Sequence, residues 1–198
     1  MPTIISLEGG IGVGKSTALA ALKAARPDLY FLDEPVAAWE EAGLLAAVYD
    51  GRLTAGAFQL AALMSRAGGL LAALRDNRVV VAERSPWSDA LVFAKANLEG
   101  HELAAYELAH EALMKAMPAG FVWHQVHLTA PVKVLQTRMA VRGRQAEAGI
   151  SDAYMKRIEA LHGVLRRSTD AKSTTVIDAT TEAAEVAAQL VAAVDAIC

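Results

Sequence analysis

Gly9-Gly10-Ile11-Gly12-Val13-Gly14-Lys15-Ser16 is the stretch on which the fold turns. It fits the pattern G-x-x-x-x-G-K-[ST] and lies between an apolar, strand-like run at 3–7 and a helical pattern over 15–25. Glycines in such a loop let successive backbone N–H groups turn inward around phosphate oxygens, and the start of the following helix adds partial positive charge. Gly9, Gly12, Gly14, Lys15, Ser16 and Thr17 are therefore expected to hold ATP, with Lys15 reaching the β- and γ-phosphates and the Ser16 hydroxyl holding Mg²⁺. The pattern specifies a way of binding phosphate and leaves the reaction open.

Working outward, short apolar runs alternate with longer helical patterns, which is the signature of a parallel sheet covered by helices. The strand-like runs are 3–7, 29–32, 79–82, 122–128 and 174–177. Helical patterns occupy 15–25, 36–48, 54–75, 86–98, 102–117, 131–141, 152–167 and 181–197. The expected fold is α/β: a five-stranded parallel sheet with helices on both faces and a P-loop after its first strand. No repeat, low-complexity tract or Pro/Gly/Ser-rich linker divides the 198 residues, so 1–198 reads as one domain. Ligands of such sheets bind beyond the carboxyl ends of the strands.

Bulk properties exclude several classes. Hydrophobic residues make up 54% of the chain, but many are alanine, and no run approaches the length of uninterrupted apolar sequence that a spanning helix needs. The most apolar stretch, 55–73, is broken by Gln59, Ser65 and Arg66, so no membrane is expected. A net charge of -3 argues against a surface built for a nucleic-acid backbone, while leaving small anionic ligands open. Cys198 is the only cysteine, which rules out an internal disulfide. The chain shows no charged start followed by an apolar run, and a cytoplasmic location is expected.

Three further segments follow strands. Asp33-Glu34-Pro35-Val36-Ala37-Ala38-Trp39 follows the second, Glu83-Arg84-Ser85 the third, and Arg138, Arg142 and Arg144 the fourth. A carboxylate at a strand's carboxyl end, such as Glu34, can accept the proton of an attacking hydroxyl. Glu83 stands where a second carboxylate would complete a Mg²⁺ shell. Ser85 before Pro86 reads as a helix N-cap and first helical residue. Arg138 and Arg142 share a helix face, and Gly143 permits a turn that re-aims Arg144. Guanidinium groups suit the charge spread over a phosphoryl group in flight, although a basic helix end would give the same pattern. The guanine-reading N-K-x-D element is absent, which sets GTPases aside.

In order and spacing, these segments resemble the deoxyribonucleoside kinase family, in particular its deoxycytidine/deoxyguanosine kinase branch. The shared motifs are the P-loop, E-P-V-x-x-W, F-Q, E-R-S-x-x-S-D and an R-x-x-x-R-x-R lid, over about 4–178. The resemblance implies a P-loop kinase fold, its five-stranded parallel sheet covered on both faces and closed by an arginine-rich lid, and transfer of the ATP γ-phosphate to the 5′-hydroxyl of a deoxyribonucleoside. Glu34 would then be the base, Arg84 would hold Glu34 and the 5′-oxygen, and Glu83 would complete the metal site. Arg138, Arg142 and Arg144 would close over ATP, and Glu147 would meet the sugar 3′-hydroxyl. Gln59 matches the glutamine that pairs with the base, Phe93 the aromatic that stacks on it, and Tyr49 a sugar-contacting tyrosine. Arg66 and Asp89 match a pair typical of the deoxycytidine/deoxyguanosine branch, which implies deoxycytidine or a purine deoxynucleoside over thymidine. Trp39 and Phe58 are expected to line the same cavity, with core packing as the competing explanation for each aromatic. Ala90 and Gly10 depart from the family pattern, where arginine and asparagine are frequent.

Two other readings remain open. A thymidylate or other nucleoside-monophosphate kinase shares the P-loop and a basic lid, and a regulatory relative would bind nucleotide without turnover. A homodimer paired through helices on one sheet face is expected from the resemblance.

Overall fold

A computed structural model describes residues 1–144 and 149–198, with Tyr49 described by its backbone only. Five strands form one sheet: β1 (Thr3–Glu8), β2 (Tyr30–Leu32), β3 (Val79–Glu83), β4 (Val122–Thr129) and β5 (Ser173–Asp178). Their order is β2-β3-β1-β4-β5, and every pairing is parallel. The chain lays β2 and β3 on one side of β1, then crosses over it to add β4 and β5. The crevice beyond the carboxyl end of β1 is therefore the place where such a sheet binds its ligand.

Both faces of the sheet are covered. On one, α1 (Lys15–Ala25) and α10 (Ala183–Asp195) bring Leu19, Leu22, Leu190 and Val194 against Ile5, Leu7, Val81 and Leu128. On the other, α4 (Ala55–Asp76) and α9 (Asp152–Leu165) bring Leu70, Leu74, Ile158 and Leu165 against Ile4, Val80 and Trp123. Alternate residues of β1 thus enter opposite cores, Ile5 and Leu7 on one face and Ile4 on the other. A third cluster, including Leu63, Ala67, Tyr106 and Leu113, packs α4 against α7 (Gly100–Lys115).

Helix α4 is long and apolar enough to cross a membrane by length and composition. It lies against the sheet instead, with Leu63, Ala67, Leu70 and Leu74 buried in the cores. Thr54 caps its start by accepting a hydrogen bond from the Ala57 amide at 3.2 Å.

Two helical expectations change. The pattern over 36–48 resolves into α2 (Val36–Glu41) and α3 (Leu44–Tyr49), because Gly43 takes a left-handed φ of 68° and ends the first helix. The pattern over 86–98 becomes α5 (Pro86–Ser88), a π-helical segment Asp89–Ala94, and α6 (Lys95–Asn97). Ser85 caps it in a reciprocal box with Ser88, with Pro86 at the first helical position. The remaining helix, α8 (Val132–Arg142), ends at Gly143 with φ 63°.

Candidate active site

The loop after β1 folds as its glycines demand. Gly9 has φ +140°, and a Cβ there would stand 2.4 Å from the Leu128 carbonyl oxygen. Gly12 has φ +81°, and its Cβ would meet Met139 Cγ at 2.9 Å and the Leu135 carbonyl oxygen at 3.0 Å. No side chain fits at either position, so the backbone lies bare against the fourth strand and α8 and its amides can face a phosphate. Lys15 curls back over the loop, its Nζ donating to the carbonyls of Gly9 (3.3 Å) and Gly10 (3.2 Å). Burial, reinforced by the Arg84 charge, lowers the Lys15 ammonium to about 7.

The Ser16 hydroxyl donates to the Glu83 carboxylate, at 3.1 and 3.4 Å from its two oxygens. The start of α1 and the end of β3 thus bring a hydroxyl and a carboxylate together. These are hard oxygen donors suited to Mg²⁺, which binds few protein ligands and keeps its waters. The pair fits the metal expected there.

Arg84 follows β3 with a φ of 68°, the one left-handed non-glycine among the described residues. Such a conformation costs about 1–3 kcal/mol and persists only where neighbours fix it. Here the Arg84 guanidinium donates to the Gly9 carbonyl at 3.1 Å, lies 4.5 Å from the Phe93 ring centroid, and places Nε 3.2 Å from Glu34. Beneath it, the Ser85 hydroxyl donates to the buried carboxyl of Glu8 at 2.6 Å.

Glu34 is the carboxylate on which these cations converge. Arg66, from α4, is ion-paired with Glu34 on one side and with Asp89 on the other. Burial works to raise the Glu34 pKa, but Arg84, Arg66 and Lys15 outweigh it and hold the carboxyl at about 2. Asp89 has no exposure, and burial pushes it up to about 7 against the pull of Arg66, with the Glu34 charge adding to the rise. The two carboxylates flanking one guanidinium are therefore unequal. Glu34, with further cations beside it, keeps its charge, and Asp89 is the more readily protonated of the two.

A cleft of about 930 Å³ opens above this group, lined by Lys15, Ser16, Glu34, Trp39, Phe58, Gln59, Arg66, Glu83, Arg84 and Phe93 among others. Gln59, Ala62 and Arg66 share the buried face of α4, as their spacing predicts. Trp39 packs edge-on to Phe58 at 5.6 Å, donates from its indole N–H to Ser65 at 3.0 Å, and carries the Arg66 guanidinium 4.8 Å from its ring. Asp89 sits below the wall and reaches the cleft through Arg66.

Arg142 and Arg144 also line this cleft. A second cavity of about 300 Å³, bounded by Gly12, Thr17, Arg138, Arg142 and Thr181, adjoins it. Arg138 stands there as a strut, donating to the Val13 carbonyl at 3.1 Å and the Ala179 carbonyl at 2.7 Å. Glu147 and the side chain of Tyr49 lie outside the described residues.

Sequence reading passed over Glu8. It belongs to a polar seam on the α4/α9 face of the sheet: Ser6, Glu8, Gln125 and His127 are all buried. Ser6 accepts from the Trp123 indole at 2.9 Å, and Gln125 meets the His127 ring at 2.7 Å. His162 lies 6.0 Å from His127, ring to ring, and 6.2 Å from Phe93, on the side of Phe93's helix that faces α9. Glu8 stands just past the apolar run 3–7, so nothing in the sequence marked it as buried.

A family model described as deoxynucleoside kinase matches residues 5–198. A protein of Invertebrate iridescent virus 6 named as a kinase is 29% identical over 190 residues, covering 93% of this chain and 92% of its own length. Deoxycytidine kinase 1 of Xenopus laevis is 28% identical over 189 residues, covering 80% of this chain and 71% of the relative. Mouse deoxycytidine kinase is 28% identical over 189 residues, covering 80% and 73%.

Proposed function

This chain belongs to the deoxynucleoside kinase family and is a phosphotransferase, and from that premise we propose that it moves the γ-phosphate of ATP to the 5′-hydroxyl of a deoxyribonucleoside. The preferred acceptor is deoxycytidine or a purine deoxynucleoside over thymidine. What supports this reading is the Glu34–Arg66 ion pair, backed by Asp89 beneath it, in the wall of a cleft that also holds Lys15, Ser16 and Glu83. A neutral sugar hydroxyl needs a base, and Glu34 supplies a carboxylate at the strand edge. An acceptor that already carried a phosphate would instead need free cations beside Glu34, and Arg66 and Arg84 are engaged with carboxylates.

Each residue then has a defined task. The bare loop around Gly9, Gly12 and Gly14 cradles the phosphates, and Lys15 exchanges its two loop carbonyls for phosphate oxygens. Ser16 and Glu83 would hold Mg²⁺, which when bound neutralises phosphate charge. Arg84, fixed by Gly9 and Phe93, orients Glu34 and the incoming oxygen. Glu34 takes the proton of the 5′-hydroxyl as it attacks. Gln59 offers a donor and an acceptor to the base edge, and Phe93, Phe58 and Trp39 supply ring faces. Arg142 and Arg144 approach from the far wall to meet phosphoryl charge. A homodimer formed through the α4/α7 side, where Met64 and Leu108 are 56% and 69% exposed, and a cytoplasmic location complete the proposal.

The test is phosphoryl transfer from MgATP to deoxycytidine, deoxyadenosine, deoxyguanosine, thymidine and their monophosphates in parallel. Turnover of nucleosides, with thymidine ranked below the best, is expected. Turnover of a monophosphate alone would move the protein to the nucleotide kinases, and thymidine with the highest kcat/KM would overturn the specificity.

A further inference from the structure

The cations around Glu34 differ in how they are held. Arg84 is anchored by the Gly9 carbonyl, the Phe93 ring and a fixed turn. Lys15 is tied to two loop carbonyls. Arg66 rests on the Trp39 ring, 4.8 Å from its centroid, and is otherwise held by charge. Its guanidinium spans two carboxylates on separate elements, Glu34 beyond β2 and Asp89 in the π-helical segment. Its Nε and the Asp89 Oδ2 atom are both buried without a hydrogen-bond partner. A buried donor and a buried acceptor left unsatisfied each carry an uncompensated desolvation penalty. The chain of charges is therefore incomplete on the Asp89 side, beside the cleft wall that Trp39 shares.

A ligand edge that offers an acceptor and a donor together can complete it. Those atoms are sealed in the free protein, so reaching them requires Arg66 to turn toward the ligand and away from Glu34. Nucleobase edges carry this chemistry, and the inference rests on the reading of the cleft as a nucleoside site. We propose that the Arg66–Glu34 ion pair is a latch released by substrate: it keeps the catalytic carboxylate engaged until a nucleobase draws Arg66 away.

The latch separates two reactions that share one site. With ATP bound and no nucleoside present, a water oxygen could attack the γ-phosphorus while the bond to the bridging oxygen of ADP breaks and Glu34 takes the water's proton, yielding ADP and inorganic phosphate. A carboxylate paired with both Arg66 and Arg84 is a poor proton acceptor, as its lowered pKa of about 2 reflects. Removing one cation raises its proton affinity at the moment the 5′-hydroxyl arrives. Arg66 would thus couple recognition of the base to activation of the base catalyst, as a positioning residue acting through Glu34.

Free nucleobases make the test, because they fill the base pocket without bringing a hydroxyl to phosphorylate. Cytosine, adenine, guanine and thymine are each added to the wild-type protein with MgATP, and release of inorganic phosphate is followed. At least one base should raise hydrolysis by about fivefold or more, the lower end of the 5–150-fold range typical of coupled sites. Arg66→Met, which keeps a stem against Trp39 and removes the charge, should show raised hydrolysis without any base and no further stimulation. A wild-type rate unmoved by all four bases, or an Arg66→Met rate equal to the wild type, overturns the latch. If circular dichroism shows that Arg66→Met fails to fold, the wild-type response decides by itself. The kinase reading fails separately, by absence of phosphorylation of every deoxynucleoside in the panel.

Discussion

Glu34→Gln keeps the shape of the side chain and removes one charge from a crowded site. A positioned general base contributes about 10²–10⁴-fold, which at 1.36 kcal/mol per tenfold is about 2.7–5.4 kcal/mol of barrier. The amide cannot take a proton from the 5′-hydroxyl, so kcat should fall by that factor. Breaking a buried pair by removing one partner generally costs about 3–5 kcal/mol of stability. The cost here should lie at or below the lower end, because Arg66 retains Asp89 and Arg84 retains the Gly9 carbonyl and the Phe93 ring. Asp89 also ionises more readily once the neighbouring Glu34 charge is gone. ATP binding should survive, since the loop glycines, Lys15 and Ser16 are untouched. Initial rates at saturating MgATP give kcat and KM, calorimetry gives ATP affinity, and thermal unfolding gives stability. A folded variant with kcat within about tenfold of the wild type would remove Glu34 as the base.

Other expectations follow from the same geometry. Gly9→Ala drives a Cβ to 2.4 Å from the Leu128 carbonyl oxygen, whereas Gly14→Ala meets nothing within 4 Å and suffers only its φ of +104°. Urea unfolding should therefore rank Gly9→Ala below Gly14→Ala by about 1 kcal/mol or more, and equal stability would refute the steric argument. Ser16→Ala should raise the Mg²⁺ concentration needed for half-maximal rate while leaving the nucleoside KM nearly unchanged, as a Mg²⁺ titration would show. Acid should destabilise the fold through Glu34: with a folded pKa of about 2 against 4.5, its contribution of about 3 kcal/mol is complete above pH 4.5 and is lost as pH falls toward 2. Asp89 has the opposite sign, its folded pKa of about 7 against 3.8 withdrawing stability as pH climbs through that window. Glu34→Gln should flatten the acid limb in denaturation curves, and an unchanged limb would contradict the assignment.

Local signals were readable from the chain because their physics is local. The loop from Gly9 to Ser16, the Ser85–Pro86 helix start and the Gln59–Ala62–Arg66 face each lie within a few residues, and the structure forms all three. The five strands could be read because a sheet covered on both faces leaves apolar runs. The break at Gly43 escaped because a single glycine inside an apolar pattern does not declare its φ. The π-helical segment escaped because nothing in the Asp89–Ala94 sequence distinguishes it from an α-helix. Glu8 was missed for a different reason. Its partner, Ser85, is 77 residues away, and Glu8 itself lies just past the apolar run that marks β1. Likewise, Arg66 and Asp89 were singled out by resemblance, whereas their joint hold on Glu34 emerges only when α4, β2 and the helix after β3 are brought together.

The three tryptophans are placed so that light can tell folding from binding. Trp87 and Trp123 are stacked at 4.0 Å with planes 5° apart, inside the core on the α4/α9 face. Indoles in that arrangement couple electronically, so their signature in near-ultraviolet circular dichroism belongs to the packed core and vanishes with it. Trp39 stands apart in the cleft wall with a guanidinium on its ring. Its emission responds to whatever moves that charge or fills the space beside it, and the native sequence thereby carries a folding probe and an occupancy probe without any label.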